Sequence, residues 1–141
     1  SDLLCYRADA PERLVEQQEA LWNPVLAWAR QALGADFRLA TGIVHVAQPK
    51  SAQAAVAATL AGIADPFRLT ALHMVTTLTG SALLALALCH GAFDANQTWD
   101  AAHVDEDVQI SIWGMDDEAL ARQALRRRDY DAAVLVIENS H

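Results

Sequence analysis

Between Trp99 and Gly114 the chain reads WDAAHVDEDVQISIWG. On one continuous helix, residues seven apart lie almost above one another, two turns along. The spacing therefore predicts a stripe of Trp99, Glu106 and Trp113, joined by Ala102, His103 and Ile110, with a carboxylate set between two indoles. Burying an unpaired carboxylate on an apolar face is expensive, so Glu106 reads either as a locked structural residue or as half of a site. Val104, Val108 and Ile112 form a second apolar face opposite, and Asp105 and Asp107 fall on the polar edges. A helix apolar on two faces is sandwiched between protein layers or keeps one face for a partner.

His103 precedes Glu106 by three residues and Asp107 by four, a spacing at which two side chains can hold one ion. One alternative is thus a small metal-dependent hydrolase using His103, Glu106 and Asp107. Carboxylate-bridged metal sites in helical bundles need a second matching set, and His45, His73, His90 and His141 stand in no such pair. The chain has no glycine-rich phosphate loop with its lysine and no Gly-x-Ser-x-Gly elbow. Cys5 and Cys89 form no CxxC, and neither has a histidine placed to activate it. No catalytic residue, metal or cofactor is expected.

The elements that must position these residues are helical. The 141 residues suit one domain, 53% are hydrophobic and 20% charged, and alanine is abundant while β-branched residues are sparse. A net charge of -8 disfavours nucleic acid and anionic lipid and favours basic partners. Arg126, Arg127 and Arg128 then read as a solvated helix face.

Pro11 and Gly34 bracket a helix over 11–33, in which Pro24 forms a kink or Asn23 caps a second helix. Leu3–Tyr6 is strand-like, and the segment near 37–46, carrying Ile43, Val44 and Val46, is a short strand or an extended loop. Further helices are expected from Ser51 to Gly62, from the Asp65–Pro66 start signal onward with a break at Gly80–Ser81, from the Asp94/Gln97 capping box to Gly114, and from Asp116 through Ile137. The apolar run over 69–88 nears the length of a membrane span, but His73 and several threonines interrupt it, and a buried central helix or helix pair fits better. The fold class is mostly α: one domain of about six to seven helices.

Three segments in order, DPFRLTAL at 65–72, TGSALLALAL at 79–88 and AAHVDEDVQISIWG at 101–114, resemble the ATP synthase assembly chaperones dedicated to the α subunit, found in mitochondria and alphaproteobacteria. The segment 3–28 is similar to that family's entry into its helical part. The alanine-rich composition is closer to the bacterial branch. The resemblance implies a β-rich N-terminal domain followed by a helical one, with 1–10 as the end of a linker or strand from the former and 11–141 as the helical domain. It implies a protein that holds the unassembled F1-ATPase α subunit and shields its β-facing interface until the β subunit arrives. Its setting would be the bacterial cytoplasm, or the mitochondrial matrix in a eukaryote. No catalysis, cofactor, small-molecule substrate, nucleic acid or membrane partner is implied. The family's acidic motif carries over to Glu106, with Asp105 and Asp107 beside it, and Trp99 and Trp113 complete the expected partner-binding set. A purely structural helical module is the remaining alternative.

Overall fold

The computed structural model describes residues 2–42 and 44–139; Ile43 and His141 lie outside them. Seven α-helices occur among the described residues: α1 (Glu12–Trp28), α2 (Lys50–Ala61), α3 (Pro66–Thr79), α4 (Ala82–Cys89), α5 (Ala95–Ala102), α6 (Val104–Trp113) and α7 (Asp117–Asn139). The helical fold class is therefore as the composition suggests. Strands β1 (Tyr6–Arg7) and β2 (Ala40–Thr41) pair in parallel, Tyr6 opposite Ala40 and Arg7 opposite Thr41. The extended segment expected near 37–46 contributes only the two residues of β2.

The centre of the domain is α4, in which every residue over 83–89 is buried. A fully buried leucine contributes roughly 1.5–3 kcal/mol, so Leu83, Leu84 and Leu86 make this short helix a substantial source of hydrophobic stability. A buried helix must satisfy its terminal backbone groups inside the protein. Ser81 Oγ accepts from Leu84 N at 3.1 Å, and the Asp2 carboxylate accepts from Leu83 N at 3.1 Å and from Ser81 Oγ at 2.7 Å. At the other end Arg68 donates to the Cys89 carbonyl at 2.6 Å. Residues 2–7 are thus part of the packed domain, with Leu4 and Cys5 fully buried.

Around this centre α3 packs against α4 and α7, and α1 packs across α4, α5 and α6. Asp65 caps α3 through Phe67 N, and Gly80, with φ 76°, ends it before Ser81 starts α4. The left-handed conformation at Gly80 is one that side chains resist. The Asp94/Gln97 capping box opens α5 as its spacing indicates. Pro24 does not break α1, which continues past Trp28 into a π-helical turn over Ala29–Leu33. Asn23 caps nothing; its Oδ1 accepts instead from Arg7 Nη1 at 2.8 Å. No helix among the described residues is long and apolar enough to cross a membrane.

Candidate functional site

The expected continuous helix from Trp99 to Trp113 is two helices, and His103 is the break. Its backbone, at φ -111° and ψ 17°, leaves the helical region. Its ring stacks on Trp99 with centroids 3.9 Å apart, and its Nδ1 lies 2.8 Å from the Trp99 carbonyl. The α6 helix restarts with Asp107 N donating to the His103 carbonyl at 2.8 Å. This break interrupts the heptad stripe. Trp99 is 9% exposed and Trp113 is 81% exposed, so the two indoles do not flank Glu106 on one face.

Glu106 has a partner from within the domain. Arg126 Nη2 on α7 donates to Glu106 Oε2 at 3.0 Å and to His103 Nε2 at 2.7 Å. A guanidinium only donates, so Nε2 accepts, and the ring proton sits on Nδ1, where it donates to the Trp99 carbonyl. His103 is thereby held as one neutral tautomer, with both nitrogens engaged. Among the described residues no three His, Cys, Asp or Glu side chains gather where a metal ion could be held. The geometry a hydrolase would need from His103, Glu106 and Asp107 is not assembled.

Asp105 and Asp107 part company. Asp105 Oδ1 accepts from Gln18 Nε2 at 2.8 Å, and Gln18 Oε1 accepts from Ala8 N at 2.8 Å, so this carboxylate ties α6 to α1 and to the chain after β1. Asp107 instead lines a cleft of about 380 Å³ with Arg13, Gln17, Leu21, Asp100 and the two valines of α6. Partial burial pushes the Asp107 carboxyl above its ordinary value of 3.8, and the nearby Asp100 and Glu106 carboxylates push it the same way. Trp113 ends α6 beside a half-exposed Ile112, with no polar partner for its indole among the described residues.

No protein-family profile matches the chain. Solved structures do. Atp12 from Paracoccus denitrificans superposes with a TM-score of 0.91 at 39% identity, over 97% of this chain and 58% of that one. An Asp-to-Lys mutant of the same protein gives 0.92 over the same spans. A chaperone candidate from Agrobacterium tumefaciens gives 0.91 at 51% identity, over 97% of this chain and 51% of that one. Over these spans the chain is Atp12-like in both fold and sequence. It spans slightly more than half the length of these Atp12-like structures.

In this Atp12-like domain the residues that decide the site's geometry include several that the sequence does not flag. Arg126 and Arg127 do more than solvate a helix face. Besides the Arg126 clasp, Arg127 lies over the Trp99 ring at 5.0 Å and the Tyr130 ring at 5.5 Å, and it bonds Asn96 Oδ1 and Asp131 Oδ1, each at 2.9 Å. Arg126 and Arg128 both keep the exposed positions expected of them, and Arg127 is the partly buried one. The capping-box helix could have suggested that something packs on Trp99, but the identity of the cation is set by a helix nearly thirty residues on.

Proposed function

We propose that this domain is the helical part of an ATP synthase assembly chaperone that binds the unassembled F1-ATPase α subunit and shields its β-facing interface until the β subunit takes its place. The observation that carries the reading is the superposition on Atp12 over nearly the whole of this chain at 39% identity. The physical character of the domain supports it. A holding protein needs apolar surface left open beside charge, and Trp113, Ile112 and the α6 carboxylates supply both. The chain's charge of -8 suits a client presenting basic groups. Nothing in this role requires a catalytic residue or a cofactor. A preceding β-rich domain and a cytoplasmic or mitochondrial-matrix setting belong to the same proposal.

Of the five residues expected to meet the client, two are favoured by their placement. Trp113 faces outward and Asp107 makes no side-chain hydrogen bond among the described residues, whereas Trp99, Asp105 and Glu106 are engaged inside the domain. The test is co-expression of the chain with the F1 α subunit of the same organism. Co-elution of α, and its release on adding purified β subunit, are expected. Aggregation of α regardless of the chain's presence overturns the reading.

A further inference from the structure

From Gln109 at the middle of α6 to Asp129 within α7, no residue is buried. These positions form an open helix–turn–helix hairpin whose two arms are not packed along one another. Its base is clasped where Arg126 reaches His103 and Glu106, and its tip is the three-residue connection 114–116. Val104 and Val108 hold the first half of α6 to the body, and Tyr130, Ala133, Val134 and Ile137 hold the second half of α7. The stretch between is uncovered, yet it carries Ile112, Trp113, Leu120 and Leu125, each more than half exposed.

The accessible surface of the molecule is 8196 Å². A compact monomer of 15.3 kDa exposes roughly 7,100 Å². The surplus, on the order of 1,000 Å², is summed over the whole molecule, and the uncovered stretch 109–129 contributes to it. Charge then selects the kind of partner. Trp113 stands between Asp107 before it and the Asp116–Asp117–Glu118 run after it, while Asp105 and Glu106 are held by Gln18 and Arg126. A second apolar groove, between α3 and α7 at Phe67, Met74 and Val136, has no charged residue in its lining.

We propose that the hairpin over 109–129 is the element that grips the client, with Trp113 as its anchor and an apolar patch rimmed by lysine or arginine on the F1 α subunit as its occupant. This deepens the functional reading above and rests on it. An exposed tryptophan entering a desolvated socket is the commonest kind of interface hot spot, and the flanking carboxylates steer a basic rim towards it. The clasp at Arg126 sets the angle at which the hairpin is presented.

The test uses the full 141-residue chain and the α subunit co-expressed with it, followed by affinity measurement on the recovered complex. Trp113→Ala and Leu120→Ala are expected to weaken binding roughly thirty-fold for the tryptophan and less for the leucine, with unchanged circular dichroism and melting. Asp117→Lys should also weaken binding, and the wild-type affinity should fall as salt rises from 50 to 500 mM. Phe67→Ala should have no effect. Unchanged binding by Trp113→Ala, or a loss confined to Phe67→Ala, overturns the hairpin while leaving the chaperone reading intact. A wild-type chain that dimerises without α, and that Trp113→Ala makes monomeric, overturns it in favour of a second copy. If the wild type retains no α at all, the functional reading falls and the inference with it.

Discussion

Arg126 donates from a single nitrogen, Nη2, to both His103 Nε2 at 2.7 Å and Glu106 Oε2 at 3.0 Å, so one guanidinium fixes a buried imidazole and a half-exposed carboxylate together. The two bonds differ in worth. His103 is 3% exposed, and leaving its Nε2 without a donor costs about 1–3 kcal/mol. The Glu106 and Arg126 side chains are 35% and 44% exposed, and such pairs contribute about 0–1 kcal/mol. Arg126→Met should therefore lower unfolding free energy in urea by about 1–3 kcal/mol, and Glu106→Gln by less than about 1 kcal/mol. Nitrogen-15 chemical shifts should show the His103 proton on Nδ1. A mixture of tautomers in the wild type would refute the clasp.

Trp22 gives the opposite kind of test to Trp113. Its ring is fully buried and its Nε1 donates to the Ala101 carbonyl at 2.6 Å, joining α1 to the end of α5. Trp22→Phe removes that donor and opens space, and about 2–4 kcal/mol of stability should be lost. Trp113→Ala should stay within about 0.5 kcal/mol. Equal losses in the two variants, read by denaturant melting, would contradict the burial assigned to them.

Cys5 predicts an alkaline limit. Burial pushes its thiol from the usual 9.0 up to about 11, with the Asp2 carboxylate adding to the effect. The folded protein thus keeps a proton that the unfolded chain gives up between these values, so stability is fully present below pH 9 and declines from about pH 9 to about pH 11. The contribution at stake is roughly 2–3 kcal/mol. The pH dependence of melting should be flatter over that window in Cys5→Ala. At pH 8 both Cys5 and Cys89, whose thiol burial also pushes up, should react with thiol reagents only on unfolding. Rapid labelling of Cys5 in the native protein would count against this environment.

Hydrogen exchange should divide the molecule sharply. Amides over 84–89 lie in a helix with no exposed face and should exchange only through global opening. Those over 110–125 lie in a stretch of α6 and α7 that contains no buried side chain and should exchange orders of magnitude faster. Bound client would protect the second group selectively. Uniform protection across both segments in the free domain would show that the hairpin is covered.

Much of the helical layout is legible because its signals are local. Asp65–Pro66, Gly80–Ser81 and the Asp94/Gln97 box each use side chains within three residues of the backbone groups they satisfy. The helix break at His103 has no such signal. It contains neither glycine nor proline, and it is held by a ring stacked on Trp99 and by an arginine twenty-three residues away. Periodicity therefore continued the helix through it and aligned Trp99 with Trp113. The site suffered for the same reason. Asp105 and Glu106 look like free carboxylates because their partners, Gln18 and Arg126, are distant in the chain. Of the two readings offered for Pro24, the second helix capped by Asn23 fails, since α1 runs through the proline without ending.

The capping of α4 by Asp2 has a bearing on how the domain can be cut. A fragment beginning at Pro11 would keep all seven α-helices of the described chain, yet it would strip the acceptor from Leu83 N and Ser81 Oγ and uncover the surface that Leu4 and Cys5 fill. The helix so exposed, ALLALALC, has no charged residue to keep it dispersed. Such a fragment would retain its helices and clump. The boundary that preserves a well-behaved domain runs before the first turn of chain, upstream of where the helices begin.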